Sequence, residues 1–421
     1  MTETVASIWA ATANSAPETP ALNGSHTADV AVVGAGYTGL TAALRLAEGG
    51  ARVIAIDAAA PGFGASGRNG GQVIPGLKYD PDVLDAVYGE ATTEFVGKAA
   101  DTVFALIEKY AIDCEPVRKG WIQASVKTSH LPTLESRANQ WKSRGAPARM
   151  LDAAEMAART GANGFVGGWL DGRAGSLHPL NYARGLARAA LAAGAKIHGH
   201  SRATALRKDG RRWIVEIAGG ARITAEEVVV ATNGYSDALW PDLKATVIPA
   251  NSFQVATAPL DAASLDRILP ERCVVSDSRR IANYFRVGPG GRLMMGGRGS
   301  FRNPRSIDDY RRIVAALHDF FPESRSAPLE FHWTGRIAMT QDHLPHIHQP
   351  FPNLTMALGY NGRGVAMASS VGTAIGAHLV DRTSPLPLKL SAIKPLPVHG
   401  LHPIYASIVI AYYRLRDALE S

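Results

Sequence analysis

Six residues, Gly34-Ala35-Gly36-Tyr37-Thr38-Gly39, constrain this chain more than any others. They set a G-x-G-x-x-G spacing between a short β-branched run, Asp29-Val30-Ala31-Val32-Val33, and a stretch from Leu40 to Glu48 with helical apolar spacing. A strand that turns sharply into a helix through glycines leaves the first helical N–H groups unpaired. A pyrophosphate is the ligand such a turn suits. Gly49-Gly50 ends the helix, and Val53-Ile54-Ala55-Ile56 predicts a second buried strand, so the segment reads as a parallel β-α-β unit with a right-handed crossover. Asp57 closes that strand roughly 20 residues past the glycines, where a carboxylate can hold an adenosine ribose hydroxyl. A dinucleotide is expected here, with Gly34, Gly36, Gly39 and Asp57 among its contacts.

A nicotinamide-binding unit continues from its second strand into another strand–helix repeat. This chain instead enters Gly62-Phe63-Gly64-Ala65-Ser66-Gly67-Arg68-Asn69-Gly70-Gly71-Gln72. Such a loop offers backbone N–H groups, a hydroxyl, an amide and one cation to a second phosphate and a flat polar ring. It favours FAD, and an NAD-dependent dehydrogenase stays as the alternative that rests on the glycine fingerprint alone. The glycine–alanine richness of the chain suits close helix–sheet packing.

The 421 residues allow two or three domains. The order βαβ, helices and strands, further strands, then helix predicts an α/β protein. A discontinuous Rossmann-like FAD domain (28–85, 150–245 and 330–384) would carry an inserted α+β substrate domain with an antiparallel sheet (86–149 and 246–329). Residues 1–27, rich in Ala, Thr, Ser and Pro, read as an extended arm, and 385–421 as a tail helix. A long helix is predicted from about 83 to 110. The apolar stretch from Ile404 to Leu415 is too short to span a bilayer and is expected on the body or at an interface.

The net charge of +7 raises the question of nucleic acid, but the cations occur as pairs such as Arg211–Arg212 and Arg279–Arg280 with no interleaved aromatics. An anion-binding site on an otherwise solvated surface is the better reading. Cys114 and Cys273 are far apart in no metal or redox spacing, and the N-terminus has no signal-peptide pattern, so a reducing cytoplasm is expected. His343, His346 and His348 flank Pro345, which breaks the spacing, and no metal is expected.

The loop at Gly62 to Gln72 resembles the segment after the second strand in flavoproteins of the D-amino-acid-oxidase superfamily, and within it the branch that oxidises γ-glutamylputrescine. Further matches are Ser176-Leu177-His178-Pro179-Leu180-Asn181, Val229-Val230-Ala231-Thr232-Asn233-Gly234, Trp333-Thr334-Gly335-Arg336, Gly359-Tyr360-Asn361-Gly362-Arg363-Gly364-Val365 and Ala411-Tyr412-Tyr413-Arg414-Leu415-Arg416-Asp417. The resemblance covers nearly the whole chain. It implies non-covalent FAD contacted by Ser66, Gly67, Arg68, Asn69, Gly70, Gly71, Gln72, Gly335, Gly362, Gly364 and Val365. It also implies hydride transfer from an amine α-carbon to flavin N5, giving an imine that hydrolyses, with oxygen or another carrier as final acceptor. No side-chain acid or base is obligatory for that step, so the substrate candidates are contacts: Arg363, Tyr360, Tyr284 and Arg336.

Two departures bear on substrate and acceptor. Arg363 stands where the γ-glutamylputrescine branch has histidine, and an arginine there can fork onto a carboxylate, which points to an imino or amino acid such as L-pipecolate. Met294-Met295 occupy the strand where sarcosine-oxidase relatives carry an oxygen-activating lysine, which weakens the case for oxygen.

Overall fold

Val30 to Val33 and Val53 to Ile56 are apolar without alternation, the signature of parallel strands covered on both faces. The computed structural model, which describes residues 7–419, places them side by side with Val30 opposite Val53. The sheet they nucleate runs His346–Phe351, Leu354–Leu358, Arg222–Val230, Ser25–Val33, Val53–Ile56, Lys196–His198. All of these neighbours are parallel except the first pair. On one face lie the helices Tyr37–Glu48, Pro179–Ala192 and Gly364–Val380. The last rests directly on the first, because a Cβ at Gly372 would stand 2.2 Å from the Thr38 carbonyl oxygen. Only a glycine permits that backbone approach.

A second eight-stranded sheet follows the order Leu329–Met339, Ile248–Pro259, Arg292–Arg298, Asn283–Gly288, Val274–Asp277, Trp121–Ser125, Gly167–Asp171, Ala148–Asp152. It is antiparallel apart from the pair Val274–Asp277 with Trp121–Ser125. Alternation decides its faces. Phe253 and Val255 join Phe285 and Leu317 in a core under the helix Arg311–Phe320, whereas Ser252 and Gln254 point the other way, toward the first sheet. The cleft of interest lies between that inner face and the parallel sheet.

Sheet membership departs from the expected division. Ala148–Asp152, Gly167–Asp171 and Leu329–Met339 were expected with the cofactor domain and belong to the second sheet, through pairs such as Trp121–Asp171 and Ile248–Met339. Conversely, the segment expected as one helix from 83 to 110 is three, Pro81–Tyr88, Glu90–Gly97 and Ala99–Lys109, broken at Gly89 with φ of 88° and at Lys98. Its Val96, Ala99 and Val103 share a core with Leu44 and Val371, so it packs on the cofactor side. Long-range pairing sets these boundaries, and the chain crosses between layers several times.

The N-terminal arm is also a packed element. Ser7 caps a single helical turn, Ile8–Ala11, and both Ile8 and Trp9 are fully buried. The tail forms the helix His402–Leu419, which buries only Ala406 and is tied down by Asp417, whose carboxylate accepts from the Arg280 and Ile281 backbone N–H groups. Among the described residues no helix is long and apolar enough to cross a membrane.

Trp9→Ala is expected to cost about 3–5 kcal/mol of unfolding free energy, the usual penalty for deleting a buried indole. Urea unfolding should show a lower midpoint at an unchanged slope.

Candidate active site

At the nucleotide end each glycine of the fingerprint answers to a contact. Gly34 has φ of 108°, and a Cβ there would stand 2.7 Å from the Ala231 carbonyl oxygen. A Cβ at Gly36 would meet the Ser66 hydroxyl at 2.9 Å, and one at Gly39 would lie 1.8 Å from the Gly34 carbonyl oxygen. The Tyr37 N–H, first in its helix, donates to Ser66 Oγ at 3.0 Å. Asp57 accepts from the Ala35 N–H at 2.8 Å and the Ala59 N–H at 2.9 Å. Burial pushes its carboxyl up, opposed by those two bonds. Each carboxylate oxygen keeps a lone pair beyond the backbone bond it accepts, which a ribose hydroxyl can use.

From Tyr37 and Ser66 a cleft of about 900 Å³, open solvent at its mouth included, runs between the two sheets. Ser66, Arg68, Asn69, Gly70 and Gln72 line it. Gly335, Gly362, Gly364 and Val365 line it too, with Arg336, Tyr360 and Tyr284; Gly335 stands beside Arg68 and Tyr284 beside Gly70. Gly67 and Gly71 do not line it. A Cβ at Gly67 would lie 2.3 Å from the Gly62 carbonyl oxygen, and Gly71 packs against Leu177 and Arg286, so both serve the loop's shape.

The loop is held from several directions. The Trp9 indole N–H donates to the Asn69 carbonyl at 2.8 Å. The Trp333 indole N–H (3.0 Å) and Gln254 Nε2 (2.7 Å) donate to the Arg68 carbonyl. Arg286, buried and pushed down to about 10 by that burial, donates to the carbonyls of Leu177 at 2.8 Å and Gly71 at 3.2 Å. His178 is buried as well; its Nδ1 accepts from the Asn181 N–H and so caps the helix Pro179–Ala192, and burial lowers it to about 4. Of these residues the sequence singled out only the histidine's segment and Trp333. Nothing local marks Trp9 or Arg286, whose partners are remote in the chain.

The substrate candidates separate. Tyr284 faces the cleft, with its hydroxyl 2.5 Å from Ser252 Oγ, and burial pushes it up to about 12. Tyr360 lends the cleft its ring only, since its hydroxyl is 2.7 Å from Thr38 Oγ1. Arg336 is exposed at the rim, over the Tyr235 ring. Arg363 lies behind the lining, its guanidinium 4.6 Å from the Trp121 ring centre and its Nη1 buried without a hydrogen-bond partner. Asn233 and Asn361, both at positive φ, brace the Gly359 to Gly364 turn by accepting from the Gly359 N–H (3.0 Å) and donating to the Gly359 carbonyl (2.5 Å) respectively. That turn aims the N-terminus of the helix Gly364–Val380 at the cleft. The three histidines near Pro345 are engaged structurally in part: His346 pairs with Asp342 at 3.0 Å and His348 with the Ser391 carbonyl at 2.8 Å.

The residues fit FAD. A glycine turn and helix N-terminus can take the pyrophosphate, and the cleft that opens beside them is lined by backbone, hydroxyl and amide groups that a flat polar ring can use. Neither cysteine lines the cleft, and burial pushes both thiols up to about 12. A dinucleotide turn opening onto a cleft between a parallel and an antiparallel sheet defines an FAD-binding oxidoreductase. The chain belongs to the DAO family of FAD dependent oxidoreductases, whose family pattern matches residues 29–378. That membership sets aside the nicotinamide alternative and makes the protein an enzyme. It is 32% identical to gamma-glutamylputrescine oxidoreductase of Escherichia coli over 100% of both chains, and 32% identical to the probable oxidoreductase OrdL of Rhizobium meliloti over 97% of this chain and 96% of that one. Among solved structures, glycine oxidase from Geobacillus kaustophilus superposes with a TM-score of 0.75 at 22% identity, covering 88% of this chain and 99% of that one. L-proline dehydrogenase from P. horikoshii gives 0.71 at 18%, covering 91% and 99%.

Gly39→Ala is expected to yield protein without flavin, since a methyl group 1.8 Å from the Gly34 oxygen forces helix and turn apart. The visible absorbance of the purified variant, compared with wild type at equal protein concentration, checks this.

Proposed function

We propose that this enzyme oxidises the primary amine of γ-glutamylputrescine or a similar polyamine derivative, releasing an imine that water hydrolyses to an aldehyde and ammonia. The observation that carries this reading is the cleft itself, which the loop residues and the Tyr284–Ser252 hydroxyl pair line together. The full-length relative named for γ-glutamylputrescine supports the substrate. Bound FAD supplies a hydride acceptor for the amine's α-carbon.

The chain's own residues bind and orient. Ser66, Arg68, Asn69, Gln72, Gly335, Gly362, Gly364 and Val365 would hold the cofactor, and the helix N-terminus at Gly364 favours negative charge beside it. The Tyr284 and Ser252 hydroxyls can donate to and accept from an amine. Among the described residues no carboxylate or histidine lines the cleft, so the amine is expected to lose its proton to water and react in the neutral form. Oxygen or another carrier then takes the electrons. Two buried, unlinked cysteines fit a cytoplasmic enzyme. Anaerobic γ-glutamylputrescine should bleach the visible flavin band of the purified protein; a band that stays oxidised would sink this substrate.

A second reading keeps the chemistry and substitutes an imino acid such as L-pipecolate. The unpartnered Nη1 of Arg363 favours it, as a guanidinium awaiting a carboxylate. Arg363→Ala should then raise KM for L-pipecolate about tenfold or more, the loss of one charged hydrogen bond. An unchanged KM removes Arg363 from that role.

A further inference from the structure

The tail helix His402–Leu419 is held at its two ends and exposed along its length. At its start the His402 ring meets the Phe301 ring edge-on, with 5.9 Å between centres. At its end the Asp417 carboxylate accepts from the Arg280 and Ile281 backbone N–H groups. Among the described residues the helix buries only Ala406, and Ser407, Ile410 and Arg414 line a hollow left between it and the body. A helix rich in isoleucine, valine and tyrosine has modest intrinsic propensity and takes its stability from packing. A single copy of the chain provides little of it.

The outward face has a pattern. With roughly 3.6 residues to a turn, Ile404, Ile408, Ala411, Leu415 and Ala418 fall on one stripe, on the side away from Ala406. They follow one another in alternating steps of four and three residues, the spacing of a seam between two helices. All five are exposed, with Ile404, Ile408 and Leu415 at 62%, 64% and 57%. Tyr412 and Leu419 widen the stripe along one border. At about 100 Å² of apolar surface for each large side chain, the stripe comes to roughly 600 Å², the upper end of what a monomer leaves in one patch.

Run in reverse, the stripe complements itself. About a two-fold axis at Ala411, Ile408 stands across from Leu415 and Ile404 from Ala418. Large residues then meet small ones at the ends, and Ala411 meets itself at the centre, where the two backbones can approach. A parallel pairing would set large against large and the two Arg416 side chains abreast. The antiparallel one separates the Arg416 positions by about 15 Å along the pair. A lipid surface fits less well, because helices that lie on membranes carry a polar face rich in Lys and Arg. Here Arg414 turns into the hollow, Arg416 donates to the Tyr412 hydroxyl at 3.1 Å, and Asp417 stands beside them.

We propose that the helix His402–Leu419 is a homodimerisation element, which pairs antiparallel with the same helix of a second copy about a two-fold axis at Ala411. The pair covers roughly 1,200 Å², enough for a specific, stable interface. Among the described residues none from this helix lines the cleft, so the dimer can be broken without touching the site.

The test is the mass of the purified holoenzyme by sedimentation velocity over a range of concentrations. A species of twice the 44.6 kDa chain is expected. Replacing two seam residues together, Ile408→Glu with Leu415→Glu, sets carboxylates face to face and should raise the dimer dissociation constant about a hundredfold or more, with flavin content unchanged. Under mild oxidation Ala411→Cys should give a disulfide-linked dimer. Leu415→Cys should not, since its two copies stand about 12 Å apart along an antiparallel pair. The native Cys114 and Cys273 are buried and leave the wild type unlinked. A wild type that sediments as a monomer overturns the proposal, and if that monomer co-sediments with phosphatidylglycerol vesicles the stripe belongs to a lipid surface instead. A dimer that survives the double glutamate change, that Ala411→Cys fails to link, or that Leu415→Cys links is built on another surface or register and overturns it equally.

Discussion

Between the two sheets runs a loop, Gly64 to Gln72, whose carbonyl groups have little regular ladder to satisfy them. Buried backbone acceptors without partners cost about 1–3 kcal/mol each, so the loop can hold its shape only if donors arrive from elsewhere. They come from remote parts of the chain: Trp9 near the start, Gln254 and Trp333 from the second sheet, and Arg286 from a neighbouring strand. Loop, sheets and N-terminal turn are therefore one cooperative object, and the part of the cleft that the loop lines inherits its geometry from all of them.

The two sheets contribute different physics to the cleft. The parallel sheet and its helices offer backbone: helix N-termini at Tyr37 and Gly364, and close approaches permitted by Gly34, Gly39 and Gly372. The antiparallel sheet offers side chains, because every second residue of its strands points inward, and Ser252, Gln254, Tyr284, Arg286 and Arg298 all arise from that alternation. Backbone groups thus come from one layer and inward-pointing side chains from the other. Substitutions on the second layer are felt on both sides of the cleft, since its Gln254, Trp333 and Arg286 donate to the carbonyls of the loop.

What was legible in the sequence is what is written locally. The turn at Gly34 to Gly39, the carboxylate at Asp57 and the loop through Gln72 need only a few consecutive residues to define them, and all are recognisable before any fold is known. Trp9 was not legible, because a single indole in an Ala/Thr/Ser-rich stretch carries no period. The boundaries near 150 and 330 were misplaced for a related reason: whether a strand such as Gly167–Asp171 joins one sheet or the other depends on its distant partner, Trp121–Ser125. Tyr360 shows the limit for side chains. Its position in the cleft could be anticipated, but its hydroxyl is taken by Thr38, a contact set by how two helices dock.

The docking of Gly364–Val380 on Tyr37–Glu48 also has a consequence for biosynthesis. The strands of the parallel sheet are drawn from residues 25–33, 53–56, 196–198, 222–230 and 354–358, and the helix that seals the cleft comes after the last of them. Pairings of such wide separation form late and slowly. A nascent chain emerging from the ribosome therefore presents its glycine turn long before it can grip a nucleotide, and its apolar strands must be shielded until nearly the whole polypeptide has been made.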